Sequence, residues 1–291
     1  MSTRQENPTE PSRSAAAWSY CLAVPAAVFV LVPFAWLICA ALKTNEDFFT
    51  SPFLPRGDGL LGIAWDRITL DNFRHLLAQT GIARALLMSA FVSSVSATLA
   101  TLICAMAGYA LARLDFLGKR AATWLVLAAL IIPPTLLIAP GYQVLFRLGL
   151  LDTLWGLILP AVAPAFGVYL FRQAVMSSVP RELLEAARMD GCGDIRAFFR
   201  VVLPLVQPMV SAFLLISFLG MWNNFLSPQV VLQEPSKFPL AVSIAQLKNV
   251  YYQDYGLLMA GTLFAILPVA VLFLVLQKDF VAGLTKGAVK G

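Results

Sequence analysis

Residues 85–112 read ALLMSAFVSSVSATLATLICAMAGYALA, 28 residues without a charge or a proline. A helix needs roughly 20 apolar residues to cross a hydrocarbon core of about 30 Å. This stretch is long enough to do so. Working outward, five more windows lack any charge: Ser14–Leu42, Ala121–Phe146, Thr153–Phe171, Val201–Gln233 and Tyr255–Gln277. The shortest has 19 residues and the longest 33. Backbone groups in lipid must be satisfied within their own segment, so the windows predict helices rather than open strands. Barrel strands need only about 10 alternating residues.

Composition agrees. Of 291 residues, 59% are hydrophobic and 13% charged, and mean hydropathy is +0.77. A soluble domain carries about 45–50% apolar and about 25% charged residues. Disorder, collagen and a disulfide scaffold are excluded. The fold class expected is an all-α membrane protein with six transmembrane helices. The run from Trp18 to Leu42 exceeds the roughly 7–15 residues of a signal-peptide core, so it reads as an uncleaved anchor. Residues 1–17 read as a disordered tail.

Lys and Arg set the orientation. With the N-terminus cytoplasmic, inside segments carry 13 of the 21 basic residues and outside segments carry 8. Both termini are therefore expected in the cytoplasm of a cell-membrane, multi-pass protein. The basic pI near 9.1 is a topology signal and not a nucleic-acid footprint. Cys21, Cys39, Cys104 and Cys192 avoid the external loops, so no structural disulfide is expected. His75 is alone and has no metal-site partner.

Eleven of the 18 prolines lie inside the windows. Proline removes a donor and kinks a helix, and Pro133-Pro134 and Pro160…Pro164 mark the most broken spans. Kinked spans suit a moving protein that encloses a pathway. The second span instead repeats small residues, Ser89, Ser93, Ala97 and Thr101 on one row and Ala100, Cys104 and Gly108 on another. Such rows let helix backbones approach closely. The windows' lack of ionisable groups argues against ion coupling, a voltage sensor or a charged filter. Available polar groups are Asn223 and Asn224 after Trp222, with Tyr142, Gln143 and Tyr169. These fit a sugar pathway, and they fit interhelical hydrogen bonding with interfacial anchoring equally well. No GxxxxGK[ST] occurs, so the chain does not bind ATP through a P-loop. One histidine cannot build a Ser/His/Asp set. No cofactor and no enzymatic chemistry are expected.

The internal loop 172–204 contains Pro180-Arg-Glu-Leu-Leu-Glu-Ala-Ala-Arg-Met-Asp-Gly191. Ser178 or a neighbour can cap a helix here, Pro180 suits its first turn, and Gly191 suits its stop. Leu183, Leu184 and Ala187 form one apolar face. Asp194 is expected to cap a second helix towards Leu203-Pro204. The first helix needs a surface to bury its face, and the bilayer, the same chain and a cytoplasmic partner all qualify.

Glu185-Ala186-Ala187, Gly191 and then Val201-x-Leu203-Pro204 resemble the EAA loop of permease subunits in binding-protein-dependent ABC importers. Val201 stands where the pattern usually has Ile, and Cys192-Gly193 where many relatives have Ala. The resemblance implies the type I importer permease fold over residues 85–280. It implies that Leu183, Leu184, Glu185, Ala186, Ala187 and Gly191 belong to a coupling helix docked on an ATPase. The partners implied are two cytoplasmic ATP-binding subunits, a second and different permease, and an extracytoplasmic solute-binding protein. Trp222-Asn223-Asn224-Phe-Leu, Tyr255-Gly-Leu-Leu-Met-Ala-Gly and the C-terminal Gln277–Gly291 resemble the carbohydrate branch, similar to the second membrane subunit of maltose-type systems. Trp222, Asn223 and Asn224 are then substrate-pathway residues.

The domains expected are a first transmembrane helix at 18–42, an external loop at 43–84, the permease domain at 85–280 and a cytoplasmic tail at 281–291. A glycerol-phosphate permease, a self-sufficient secondary transporter and a membrane scaffold are the alternatives. An external stretch at 234–254 is expected to hold a short interfacial helix at Phe238–Leu247, with Tyr251 and Tyr252 near the membrane surface.

Overall fold

The computed structural model describes residues 13–248 and 254–288. Residues 1–12, 249–253 (including Tyr251 and Tyr252) and 289–291 lie outside the described residues. Helix α1 (Arg13–Ala41) begins inside the segment expected to be a disordered tail. At the other end, the last helix runs to Ala288, so most of the expected C-terminal tail is helical. Among the described residues, three helices are long and apolar enough to cross a membrane: Tyr20–Ala41, Ile82–Arg113 and Tyr255–Val275. Three bent helix pairs bring the number to six if each pair is one span.

The described chain divides into two compact units. The first holds α1, α2 (Asn45–Thr50), α3 (Asp71–Gln79) up to Leu76, and the start of the last helix. The segment expected as a plain loop is thus partly helical. Its polar groups are tied together. Asn72 Nδ2 donates to the carbonyls of Ala41 and Lys43, both at 2.8 Å, satisfying acceptors that the end of α1 leaves free. Asp47, almost fully buried, pairs with Arg67 at 2.7 Å. Lys43 is buried and donates to the Ser51 carbonyl at 2.7 Å; burial holds its pKa below the usual lysine range. The Tyr255 amide donates to Asn45 Oδ1 at 3.0 Å, and the Tyr255 ring stacks on Phe48.

The second unit is built around α4 (Ile82–Arg113). Its two rows of small residues are buried, as their spacing predicts. α5 (Lys119–Ala129), α6 (Ile138–Arg147), α7 (Trp155–Ala161), α8 (Ala165–Ser178), α9 (Arg181–Met189), α10 (Asp194–Ala197), α11 (Leu203–Leu205), α12 (Gln207–Trp222), α13 (Leu226–Val231) and α14 (Leu240–Gln246) follow. The closing helix is α15 (Tyr255–Ala288), whose portion from Phe264 onward belongs to this unit. α4 packs mainly on α8 and α12. A Cβ on Gly108 would sit 2.6 Å from Phe171 Cβ and from the Arg172 backbone nitrogen. Only glycine permits that approach. Gly167 of α8 meets Cys104 of α4 and Phe213 of α12, and Phe171 and Phe213 meet edge to face at 5.4 Å between centroids. Lipid tails are as apolar as these side chains, so close packing supplies the cohesion here. Ser89 Oγ, one of the small row, accepts from the Leu240 amide at 2.7 Å and so holds the start of α14.

The breaks fall at the prolines. α5 and the segment Pro134–Arg147 bend by 103°, where Pro133 is extended and Pro134 opens a short 3₁₀ turn. Pro164, also extended, separates α7 from α8, which bend by 40°. α10 continues through a π-turn at Phe198–Val202 into α11, and then turns by 84° into α12. Pro204 and Pro208 flank that turn and withhold two backbone donors. The fifth window therefore contains the turn, α12 and α13. α14 lies within the expected interfacial helix.

Candidate functional site

Two features stand out. The first is the loop around α9. Pro180 is its N-cap residue in extended conformation and no side chain caps the end, so Ser178 does not take that role. The C-terminus closes as a Schellman motif: Cys192 N donates to Ala187 O at 2.9 Å and Gly191 N to Arg188 O at 3.0 Å. Gly191 has φ +77, the left-handed conformation that this motif asks of it. Asp194 lies in the first turn of α10, behind Gly193 as N-cap, and binds Arg188 at 3.1 Å.

The apolar face divides. Leu184 is buried in this chain's own core, beside Val179, Ala197 and Phe198. Its side chain is thus occupied within this chain. Leu183 is exposed, as are Glu185, Ala186 and Met189, and Ala187 is half-buried. Adjacent helical residues point about 100° apart, and here α9 is rotated so that Leu184 faces the core while Leu183 does not. One buried leucine anchors the helix and leaves the Leu183–Glu185–Ala186–Met189 side uncovered.

Arg113, the last residue of α4, reads in the sequence only as a positive charge. Its Nη2 donates to the carbonyls of Val175, Met176 and Val179. Val175 already accepts from the Val179 amide, so Arg113 mainly serves the Met176 and Val179 carbonyls at the end of α8, and a cation suits the negative end of the helix dipole. Arg113 thereby fixes how the chain leaves α8 and enters α9. Its partners lie far along the sequence, so no local pattern reveals it.

The second feature is a cavity of about 410 Å³ between the bent pairs and α13. Pro134, Ile138, Tyr142, Gly156, Pro160 and Ser227 are among its lining residues. Tyr142 and Ser227 supply the side-chain hydroxyls in an otherwise apolar wall. Asp152 braces one rim. Its amide donates to the Val231 carbonyl at 2.9 Å, and its carboxylate accepts from the amides of Gln233 and Glu234. Lys237 Nζ binds Asp152 Oδ2 at 2.7 Å and Glu234 at 2.9 Å. The lysine hydrogen bond, followed by the two amides, lowers the Asp152 pKa to about 2.

The three expected pathway residues separate. Trp222 is buried, stacked on Phe218, and donates Nε1 to the Ala265 carbonyl at 3.3 Å, close to Pro268 of α15. Asn223 ends α12 and is exposed, with Nδ2 bonded to the Leu219 carbonyl. Asn224 Oδ1 accepts from the Ser227 amide at the start of α13. Of these residues, only Asn223 presents an exposed side chain. The cavity wall was signalled by the proline pairs and Tyr142. Asp152 and Lys237 gave no signal in sequence.

Comparison with known proteins agrees with this architecture. Residues 101–280 match the family model described as binding-protein-dependent transport system inner membrane component. The chain is 40% identical over 225 residues to the arabinooligosaccharides transport system permease protein of Halalkalibacterium halodurans, covering 77% of this chain and 80% of that one. It is 34% identical over 279 residues to the diacetylchitobiose uptake system permease protein of Streptomyces coelicolor, covering 94% and 89%. Its fold matches a chain from the crystal structure of a bacterial ABC transporter involved in the import of the acidic polysaccharide alginate, with TM-score 0.76 and 21% identity over 94% of this chain and all of that one. On these matches, the chain belongs to the family of inner membrane components of binding-protein-dependent ABC importers.

Proposed function

We propose that this chain forms part of the translocation pathway for a neutral oligosaccharide and takes its driving force through α9. As a permease subunit it is a transport component rather than an enzyme, and it works with an ATPase and a solute-binding protein. The observation that carries the proposed coupling is α9 itself. It is a short amphipathic helix pinned by Leu184, closed by Gly191, and left with an uncovered side bearing Leu183, Glu185, Ala186 and Met189. In this reading two ATPase subunits act on the assembly, and a second, different permease completes the pathway. Both termini and α9 face the cytoplasm, in keeping with the excess of Lys and Arg on that side.

The relatives' names support an oligosaccharide substrate. The charge-free spans favour a neutral one, because a phosphate or uronate crossing them would lack a cationic partner. This argues against the glycerol-phosphate alternative, and family membership replaces the self-sufficient transporter and the scaffold. The test is uptake of labelled arabino-oligosaccharides by proteoliposomes holding this chain, its partner permease, the ATPase and the binding protein. ATP-dependent uptake lost in Glu185→Lys, with the assembly still embedded in the membrane, is the expected result. Uptake independent of ATP, or unchanged in Glu185→Lys, would overturn the coupling role.

A further inference from the structure

A second cavity, of about 660 Å³, opens where α4, α5 and α8 leave the apolar zone. Leu111, Phe116, Leu117, Lys119, Arg120 and Arg172 are among its lining residues, with Thr123 and Trp124 one turn further along α5. Three cations line it and no carboxylate does. Lys119 pairs with Asp115 at 3.3 Å and donates to the Leu114 carbonyl at 2.7 Å. Among the described residues, Arg120 and Arg172 make no ion pair, and Arg172 Nε is buried without a hydrogen-bond partner. A buried charged donor left unsatisfied is costly.

The start of α5 points the same way. Gly118 precedes it in a left-handed conformation, no side chain caps it, and its first turn holds Lys119 and Arg120 but no acid. Cations at the positive end of a helix dipole are unfavourable. An anion between Arg120, Arg172 and the free amides of this end would relieve both faults. The surroundings are those of a membrane interface. Leu117 is fully exposed, Phe116 and Trp124 are exposed, and tryptophan favours the headgroup level. Arg172 and Lys119-Arg120 stand at the edges of charge-free windows, where the hydrocarbon zone gives way to headgroups.

We propose that this cavity binds a phosphate group, supplied by an anionic phospholipid. Arg120 and Arg172 hold the phosphate, and Phe116, Leu117 and Trp124 lie against its acyl chains. The reading requires only that the chain spans a membrane and does not depend on the transported substrate.

The test is native mass spectrometry of the intact purified importer. It is titrated separately with dioctanoyl phosphatidylglycerol, dioctanoyl phosphatidylcholine and inorganic phosphate. The expected result is saturable retention of phosphatidylglycerol over phosphatidylcholine. It should fall about tenfold in Arg120→Gln/Arg172→Gln, persist in Arg120→Lys, and be unaffected by Arg147→Gln, which lies outside the cavity. Equal retention of the two lipids, or full retention in the double variant, would overturn the proposal. Displacement of phosphatidylglycerol by equimolar inorganic phosphate would overturn the lipid source and assign the site to a soluble phosphate. Should the double variant fail to assemble, the comparison of the two lipids on the unaltered protein decides.

Discussion

Arg113 Nη2 hydrogen-bonds the Val179 carbonyl, joining the end of α4 to the residue that precedes the turn into α9. The same nitrogen reaches Met176 at 3.1 Å. Arg113→Ala leaves these acceptors without the donor and should destabilise the protein by about 1–3 kcal/mol. Arg113→Lys keeps the charge but offers a differently shaped donor group, so it should fall between. Thermal unfolding of the detergent-purified chain checks both. In the reconstituted importer, Arg113→Ala should hydrolyse ATP with reduced sugar uptake. Uptake per ATP equal to that of the unaltered importer would remove the positioning role.

Gly191 meets nothing that a side chain would strike, so its φ of +77 is what restricts substitution. Gly191→Asn should cost less than Gly191→Val, because asparagine visits this conformation and β-branched residues rarely do. Transport should follow the same order. A valine variant that transports as well as the asparagine one would show that the turn is unimportant.

Asp152 offers a pH test. Its pKa is lowered to about 2 by the Lys237 hydrogen bond and then by two backbone amides. Because the folded value lies below the unfolded value of about 3.9, the stabilisation is complete above that value. It is lost as pH falls through about 2. Asp152→Asn, which tolerates the local φ of 55°, should lower the unfolding temperature by a constant amount from pH 7 to pH 5. The gap should narrow below pH 4. A gap that grows on acidification would contradict the bracing role.

Trp222 and Asn223 should separate structure from substrate. Trp222→Phe removes the bond to Ala265 and should reduce stability by about 1 kcal/mol with little change in apparent substrate affinity. Asn223→Ala should leave stability nearly intact and raise the substrate concentration for half-maximal uptake several-fold. The opposite pattern would move the substrate contact to Trp222.

Much of this architecture is legible in the sequence. The gaps between charges predict the spans, the prolines predict where they break, and the four-residue spacing of Ser89, Ser93, Ala97 and Thr101 predicts the buried face of α4. Local pattern does not carry direction. The Leu183-Leu184 pair shows a helix with an apolar face, yet only the three-dimensional packing shows that Leu184 turns home and Leu183 does not. Nor does it carry the angle of a break: Pro204 and Pro208 announce a bend, and its 84° depends on what α12 packs against. Arg113 and Asp152 act through partners distant in sequence. The sequence therefore shows them only as charges.

The glycine at position 108 has a mechanical consequence. With the α4 and α8 backbones pressed together there, and with Leu184 seated in the core they share, α9 is tied to α4 through close-packed groups. If α9 receives force, as proposed above, this packing should pass a push on its exposed side to α8 rather than absorb it. α8 and α4 should then shift together as one beam. The described helices change direction at the proline joints 133–134, 164 and 204–208. Those joints are where the moving parts of the cycle should be sought.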